Sequence, residues 1–407
     1  MKNVCVIGLG YIGLPTALML AANGNCVTGV DIDENLLNQL RAGKVTFEED
    51  GLVELFAQAF DKGISFQSDL PKSPIYIVAV PTPYDKTTKK IDPKYVTTAV
   101  NNVLDVCDDG AIIVVESTVS PGTMDKFVRP VIEKRGRSSD VHLVHAPERI
   151  IPGKMIKELQ ENARTIGADS VGVAEAVRDM YTTFCTGEIV LTDIRTAEMT
   201  KVVENTYRDI NIAFANELAK ICRQDNLNVY DIIKISNMHP RVSILQPGPG
   251  VGGHCISVDP WFLVGDYPQL SLLIKEAREI NDSMPGFVMQ RIQTIKNENN
   301  LPPTAKVGFY GITYKEDVDD TRESPTIQIY EQMKLNLGGS NAIFYDPMCQ
   351  SNVLEGQIGD FDAFLAASDV VVIMVGHAHI KENMDKLRGM FILDTRNICG
   401  IEGCYKL

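Results

Sequence analysis

Residues 2–31 read KNVCVIGLGYIGLPTALMLAANGNCVTGVD, and the succession of residue types in this stretch decides the fold of the first half of the chain. Residues 2–7 are a short apolar run suited to a buried strand. Gly8-Leu9-Gly10-Tyr11-Ile12-Gly13 then places three glycines in a fixed register. Pro15–Asn23 reads as a helix, and Val27–Val30 as a second strand stopping at Asp31. Strand, glycine turn, helix, strand and acid, in that order, make a βαβ unit that binds a dinucleotide. Gly8 permits the turn, Gly10 lets the backbone approach a pyrophosphate, and Gly13 lets the helix pack on the strand. The helix N-terminus, with Tyr11 and Ile12 in the turn, faces the phosphate charge. Asp31 is placed to accept from both ribose hydroxyls and to repel a 2′-phosphate. No arginine stands in Ile32-Asp33-Glu34-Asn35, Arg41 being the nearest, so the expected cofactor is NAD. Asp33 reads as an ordinary surface acid. Lys2 before an apolar run imitates a secretory leader, but the glycine register and the acid-terminated second strand favour a folded unit.

Outward from this unit, further parallel strands are expected as near-continuous apolar runs, Ile75–Val80, Ala111–Glu116 and Val141–Val144. Each leads into turn chemistry: Pro81-Thr82-Pro83, then Ser117 to Gly122, then His145-Ala146-Pro147-Glu148-Arg149. Loops after strand C-termini line the ligand crevice of an open α/β sheet. Thr82, Thr118 and Glu148 are therefore candidate contacts, with helix capping the competing role for the two threonines.

From Asp193, a plausible N-cap, the period changes. Met199, Val203, Tyr207, Ile210, Phe214, Leu218 and Ile221 recur at three and four, the stripe of a long amphipathic helix. Lys201, Asn205 and Asp209 recur at four and share a second, polar face. On a solvated surface Lys201 would pair with Glu198 or Glu204. Such a helix between two α/β halves is a natural dimerisation element.

Gln246–Trp261 reads QPGPGVGGHCISVDPW. Its glycines and prolines rule out a helix or central strand in the first half and leave a backbone able to lie close to a ligand or another segment. A thiol (Cys255), an imidazole (His254) and a carboxylate (Asp259) follow. This order suits a nucleophilic sulfur on a tight loop with a carboxylate four residues on. The competing reading is a surface loop with a buried cysteine. No second Cys/His pair has ligand spacing, so no metal is expected.

After a helical stretch, Leu270–Asn299, and a linker at Leu301-Pro302-Pro303, a second α/β pattern begins at Ala305. Strands are expected at Lys306–Tyr310, Ala342–Tyr345, Val370–Val375 and Phe391–Asp394, with a helix from Pro325. Where a glycine finger would stand, the chain has Gly311 to Pro325, GITYKEDVDDTRESP. A loop carrying Lys315 and Arg322 before a helix N-terminus suits a pyrophosphate or nucleotide. The expected division is 1–192 for the dinucleotide domain, 193–300 for a central helical region with the thiol loop, and 301–407 for a second α/β domain. The fold class is α/β, two Rossmann-like doubly wound domains joined by a long central helix.

Composition narrows the function classes. At 407 residues, 44% hydrophobic and 23% charged, the chain has the make-up of an ordinary globular protein of two or three domains. A net charge of −14 argues against a phosphate-tracking nucleic-acid surface. No apolar run approaches membrane-spanning length. Nine cysteines without a CxxC pair fit free thiols in a reducing cytoplasm.

Taken together, GLGYIG (8–13), VPTP (80–83), ESTVSPGT (116–123), APERIIPG (146–153), EMTKVVENTYRDINIAFANEL (198–218), GVGGHCISVDPWF (250–262) and YKEDVDDTRESP (314–325) resemble the UDP-glucose/GDP-mannose dehydrogenase family along essentially the whole chain. HPRV (239–242), with the thiol-loop and APERIIPG forms, is similar to the branch acting on UDP-N-acetylhexosamines, with UDP-N-acetylmannosamine the expected substrate. The resemblance implies that the N-terminal half binds NAD, the long helix makes a homodimer, and the C-terminal half grips UDP. It implies Cys255 as nucleophile, Lys201, Asn205 and Asp259 around the sugar C6 and a water, and Thr118 and Glu148 in the hydrolytic step. Arg149, His239, Arg241, Gly252, Lys315 and Arg322 are the further residues implied at the substrate. Relatives acting on UDP-glucose often carry a second glutamate shortly after the motif one. Here Pro152 stands four after Glu148, and no such role transfers.

The implied chemistry explains these residue types. Oxidising a primary alcohol to a carboxylate removes two hydrides, so the aldehyde stage must be trapped. A thiolate traps it as a thiohemiacetal, and a second oxidation gives a thioester that water hydrolyses. Lys201 and Asn205, one helical turn apart, suit the developing oxyanion. The alternatives are oxidation of UDP-N-acetylglucosamine or UDP-glucose, a single-hydride dehydrogenase of the 6-phosphogluconate or hydroxyacid type, and a non-catalytic NAD-binding sensor. The thiol loop and the half after Ala305 count against the last two.

Overall fold

The computed structural model describes residues 2–253, 255–335, 341–349 and 352–407. The chain forms two compact units, Met1–Glu204 and Asn205–Leu407, the division falling inside the helix Ile194–Gln224.

The first unit is built on eight strands: β1 (Asn3–Ile7), β2 (Cys26–Val30), β3 (Ser65–Gln67), β4 (Ile75–Val78), β5 (Ala111–Val115), β6 (Val141–His145), β7 (Arg164–Ala168) and β8 (Ile189–Thr192). They lie in the order β3-β2-β1-β4-β5-β6-β7-β8. The first six are parallel and follow the 3-2-1-4-5-6 order of dinucleotide-binding sheets. β7 turns antiparallel against β6, and β8 pairs parallel with β7. The apolar pattern does not reveal β3, β7 or β8. β3 has three residues, β7 starts on an arginine, and β8 keeps no buried position. β1 and β4 sit centrally with almost every residue buried, which is why they read as unbroken apolar runs. Helix Gly13–Ala22 buries all but its last residue, so it is apolar on all sides rather than striped.

The second unit carries a five-stranded parallel sheet: β9 (Val307–Tyr310), β10 (Ala342–Tyr345), β11 (Val370–Ile373), β12 (Phe391–Asp394) and β13 (Tyr405–Lys406). Its order, β10-β9-β11-β12-β13, is the 2-1-3-4-5 winding of flavodoxin-like sheets. The switch point therefore lies between β9 and β11, beyond their C-termini, where such sheets bind ligands. Helix Leu272–Glu298 packs on this sheet through Met284, Val288, Ile292 and Ile295 despite Pro285 in its middle.

The long helix inverts the usual arrangement of its two faces. Val203, Tyr207, Phe214 and Ile221 of the apolar stripe are exposed, whereas Lys201, Asn205, Asp209 and Asn216 are buried. Burying polar groups is tolerable only where partners satisfy them, and among the described residues Asn205, Asn216 and one oxygen of Asp209 have them. Asp209 accepts from Arg278 Nη1 at 2.5 Å and from Asn281 Nδ2 at 2.8 Å. Asn216 donates to Asn281 Oδ1 at 2.8 Å and accepts from Gly248 N at 2.9 Å, which pins the glycine loop to the helix. Neither acid expected beside Lys201 serves it as a surface ion pair. Glu198 accepts from the N–H groups of Gly122 and Met124, and Glu204 pairs with Arg149 at 2.8 Å.

Candidate active site

The first group of candidates lies on one edge of the first sheet. β1, β4, β5 and β6 are adjacent and parallel, so the loops leaving them share that edge. Gly8 has a φ of +89°, and a Cβ there would lie 2.5 Å from Ala79 O. A Cβ on Gly13 would lie 1.8 Å from Gly8 O, so the helix meets the strand only without a side chain. Gly10 is exposed, and a Cβ there would meet nothing within 4 Å. That is the position where a pyrophosphate backbone needs open approach to the turn. Asp31 follows β2, and its Oδ2 accepts from Leu9 N at 2.8 Å, holding the carboxylate beside the turn. Tyr11 packs against Phe47 with the rings tilted by 31° and 4.5 Å between centroids. Thr82 is buried after β4, and Thr118 is half-buried after β5. Asp33 caps helix Glu34–Arg41 through the N–H groups of Asn35 and Leu36, so it is an N-cap rather than an idle surface acid. This cradle fits a dinucleotide: an open glycine, a helix N-terminus without acids in its first turn, and a ribose acid.

Glu148, after β6, is more deeply set than a crevice-rim residue. It is 5% exposed and forms an ion pair with Arg164 Nη2, while its Oε1 accepts from Arg149 N at 2.7 Å. Arg164 also reaches Glu116 Oε1 at 3.3 Å, and Tyr181 donates to the same oxygen at 3.1 Å. The Arg164 guanidinium lies over the Tyr181 ring, 4.3 Å from its centroid. Two buried carboxylates thus share one guanidinium. Burial pushes the Glu116 carboxyl up to about 7 against the pull of Arg164, with the nearby Glu148 charge adding to the rise. Arg149 is engaged with Ala163 O, Thr165 Oγ1 and Glu204. The pattern of apolar runs gave no sign of Arg164, Glu116 or Tyr181, since a shared buried charge needs three-dimensional neighbours.

The second group lies within the second unit. Among the described residues, Cys255 and Cys26 are the exposed cysteines. Burial pushes the thiols of Cys5 and Cys349 up to about 12, which leaves them without thiolate at neutral pH. Cys255 O accepts from Val258 N at 3.1 Å and from Asp259 N at 2.8 Å, which ties the backbone of the thiol residue to the start of helix Asp259–Asp266, whose N-cap is Val258. Asp259 is 2% exposed and accepts from Asn205 Nδ2 at 2.6 Å. Asn205 and Asp259, which the resemblance sets with Lys201 around the sugar C6, are thus hydrogen-bonded to each other. His254 lies outside the described residues.

The glycines before Cys255 serve a chain–chain contact. A Cβ on Gly252 would lie 2.6 Å from Tyr314 Cβ and 2.8 Å from Glu323 O. Gly253, at φ +85°, donates its N–H to Arg322 O at 2.9 Å. The thiol loop is therefore laid against the loop 311–325 that leaves β9. That second loop repeats the first unit's turn in part. Gly311 N bonds Tyr345 O and Ile312 N bonds Asp346 Oδ2, as Gly8 N bonds Val30 O and Leu9 N bonds Asp31 Oδ2. Asp346, unlike Asp31, is buried and consumed: it also accepts from Thr313 N at 2.8 Å and lies 3.4 Å from His377 Nε2. His377 Nδ1 accepts from Asp317 N at 2.9 Å, which leaves the ring proton on Nε2, facing Asp346. Burial raises the Asp346 carboxyl, but His377 and the Thr313 and Met348 N–H groups outweigh it and hold it below the ordinary carboxylate value. Asp346, Thr313 and His377 escaped the sequence reading. The available signal was an acid directly after the second strand, the place Asp31 holds in the first unit.

In this loop Asp317 and Glu323 adopt left-handed backbone, at φ 55° and 50°, the kind of strain that concentrates at ligand sites. Lys315 is half-buried and Arg322 exposed, the latter gripping Asp320 through Nε and Nη2 at 2.6–3.1 Å. His239 and Arg241 are exposed after helix Val229–Ser236, with Arg241 N donating to His239 Nδ1 at 3.3 Å.

A glycine cradle with a ribose acid, and a cysteine loop beside a second nucleotide-type turn, define a dinucleotide-dependent dehydrogenase of nucleotide-linked substrates. The chain belongs to the UDP-glucose/GDP-mannose dehydrogenase family. Residues 2–185 match its NAD binding domain, 195–283 its central domain and 308–401 its UDP binding domain. NAD is the cofactor. A UDP-N-acetyl-D-mannosamine dehydrogenase of Methanococcus vannielii is 45% identical over 98% of this chain and 93% of the relative. The solved structure of a UDP-N-acetyl-mannosamine dehydrogenase from S. aureus is 41% identical, with a TM-score of 0.89 over 100% of this chain and 98% of that one. A UDP-D-ManNAc dehydrogenase from Pyrococcus horikoshii is 35% identical, with a TM-score of 0.91 over 99% and 98%.

Proposed function

We propose that this enzyme oxidises the C6 hydroxyl of UDP-N-acetylmannosamine to the carboxylate, taking four electrons through a thiohemiacetal and a thioester on Cys255. The observation that carries this reading is the exposed Cys255 at the head of helix Asp259–Asp266, with buried Asp259 hydrogen-bonded to Asn205 at 2.6 Å. The names borne by the similar proteins support the substrate. NAD supplies the hydride acceptor, one molecule for each of the two oxidations.

The remaining roles belong to this chain. Cys255 adds to the aldehyde carbon and forms a C–S bond, so the half-oxidised sugar stays bound. Lys201 and Asn205 stabilise the oxyanion that develops at C6. Asp259, held by Asn205, orients the water that cleaves the thioester, and Thr118 and Glu148 assist that hydrolysis. Gly8, Gly10, Tyr11, Ile12, Gly13, Asp31, Thr82 and Thr118 line the cofactor. Arg149, His239, Arg241, Gly252, Lys315 and Arg322, with Glu148, Lys201 and Asn205, hold the UDP-sugar. We assign residues 1–192 to the NAD domain, 193–300 to the central region and 301–407 to the UDP domain. The exposed stripe of Val203, Tyr207, Phe214 and Ile221 supports a homodimer through the long helix. Among the described residues no helix is long and apolar enough to cross a membrane, and we place the enzyme in the cytoplasm.

Two measurements test the reading. Turnover across UDP-N-acetylmannosamine, UDP-N-acetylglucosamine and UDP-glucose should favour the first by kcat/KM. The molar ratio of NADH formed to sugar consumed should be two, and Cys255→Ala should abolish acid formation. A ratio of one, or full acid production without the thiol, refutes the covalent mechanism and leaves the single-hydride alternative.

A further inference from the structure

β7 runs against its neighbour β6, with Val144 opposite Ala168 and His145 opposite Gly167. A strand parallel to the first six would begin at the edge of the sheet remote from the loops that follow their C-termini. An antiparallel strand begins at the loop edge. Extending the observed register by three residues sets Arg164, the first residue of β7, opposite Glu148, three residues past β6. The reversal of this strand thus delivers a cation to the edge where Glu148 stands. Arg164 is 3% exposed and held from several sides. Its Nη2 pairs with Glu148 Oε2 and its Nη1 with Glu116 Oε1 at 3.3 Å. The guanidinium lies over the rings of Tyr181 and Phe184, 4.3 and 5.5 Å from their centroids. Tyr181, at the end of helix Val171–Tyr181, donates to Glu116 Oε1 at 3.1 Å, while Glu116 Oε2 is buried without a donor among the described residues. The Thr16 hydroxyl and the Cys185 thiol complete the polar groups at the cluster. Burying three charges together is a poor way to gain stability, because desolvation consumes most of their attraction. Such clusters concentrate where chemistry needs a group held in one place.

We propose that Arg164 is a positioning residue for the reaction: it fixes the Glu148 carboxylate for hydrolysis of the thioester, and Glu116 competes for the same guanidinium. This rests on the reading that Glu148 serves hydrolysis. In that step water adds to the acyl carbon and the C–S bond breaks, releasing the product carboxylate, the Cys255 thiol and one proton. With Glu116 protonated, Glu148 holds the guanidinium charge alone. With Glu116 ionised, the charge is divided and Glu148 is held less firmly. Burial, opposed by Arg164, sets that change at about 7.

Acylated enzyme separates this role from a merely structural one. The assay is intact-protein mass after an acid quench during turnover of UDP-N-acetylmannosamine with saturating NAD, alongside steady-state kinetics. Arg164→Lys keeps the charge but loses the fork. It should lower kcat about a hundredfold, as misplacing a reacting group does, and acyl-enzyme should build up. Its kcat/KM for the UDP-sugar should stay within about threefold of the parent, since a slowed late step lowers KM in parallel. Glu148→Gln should trap the same acyl-enzyme. Glu116→Gln should remove from the kcat–pH profile the fall that the parent shows as pH rises through about 7. If Glu148→Gln traps acyl-enzyme and Arg164→Lys does not, the positioning role alone is overturned. If Glu148→Gln fails to trap it, the reading of Glu148 falls, and the proposal with it. Should Arg164→Lys not fold, Glu116→Gln decides: a kcat–pH profile parallel to the parent's overturns the proposal.

Discussion

Replacing Arg278 by methionine removes the cation from a carboxylate that has no route to water. Asp209 is 0% exposed and Arg278 1%, and the guanidinium Nη1 stands 2.5 Å from Asp209 Oδ1. Asn281 Nδ2 then remains as the side-chain donor recorded on that carboxylate, at 2.8 Å. Breaking a buried ion pair on one side costs about 3–5 kcal/mol, because the remaining charge is left uncompensated. The other bond of Arg278, to Asp282, adds little, since Asp282 is 46% exposed. Adding Asp209→Asn removes the stranded charge while its amide oxygen still accepts from Asn281. The double variant should therefore return to within about 1–2 kcal/mol of the parent, a coupling of about 2 kcal/mol or more. A pH signature follows. Burial raises the Asp209 carboxyl above its ordinary value while Arg278 opposes the rise, so methionine lets it climb further. A carboxyl raised on folding adds stability below its unfolded value and loses it as pH rises through the folded one. The penalty of Arg278→Met should thus be small near pH 4 and full at pH 8. Urea denaturation of the four proteins of the cycle at both pH values measures it. A penalty under about 1 kcal/mol at pH 8, or strictly additive single effects, would show that the pair is not the element holding the two helices here.

Gly13→Ala should abolish NAD binding and destabilise the first unit, since the added Cβ lies 1.8 Å from Gly8 O; fluorescence titration with NADH reads the loss, and near-normal affinity would contradict the packing. Arg322→Ala should weaken UDP binding by about tenfold or more while NAD affinity holds, because a donor to a diphosphate is lost; calorimetry giving the reverse pattern would reassign the second α/β half. Glu116, raised to about 7 from 4.5 by burial, costs stability increasingly between those values as pH rises and fully above the higher one. Relative to the parent, Glu116→Gln should therefore gain stability across that interval, and parallel stability–pH curves would disprove the shift.

Much of the architecture was legible before any coordinates. The glycine turn, its flanking strands and Asp31 are local in sequence, and each rests on a local constraint: a positive φ at Gly8, a Cβ-free contact at Gly13. Buried parallel strands advertise themselves through unbroken apolar runs, so β1, β4, β5, β9 and β11 were read correctly to within two residues. Asn205 and Asp259 were singled out by resemblance of motifs, while their mutual hydrogen bond at 2.6 Å came only with the fold.

What the one-dimensional pattern could not carry was the partner of each buried charge. A lysine, an asparagine and an aspartate at intervals of four look like a solvated helix face whether or not Asp259 waits for the asparagine and Arg278 and Asn281 wait some seventy residues on for the aspartate. Hydrophobic periodicity reports which side chains dislike water, and it is silent on which polar ones have been given an alternative to it. The same silence hid Arg164 between Glu116 and Glu148, and Asp346 beneath the loop 311–325. Strand order was likewise unreadable. The placement of β9 beside β11, and with it the nucleotide crevice of the second unit, follows from pairing between runs some sixty residues apart. Local sequence set the elements and the cofactor turn, because their causes lie within a few residues. Long-range hydrogen bonding decided which polar groups could be buried, because only the folded chain brings donors and acceptors together.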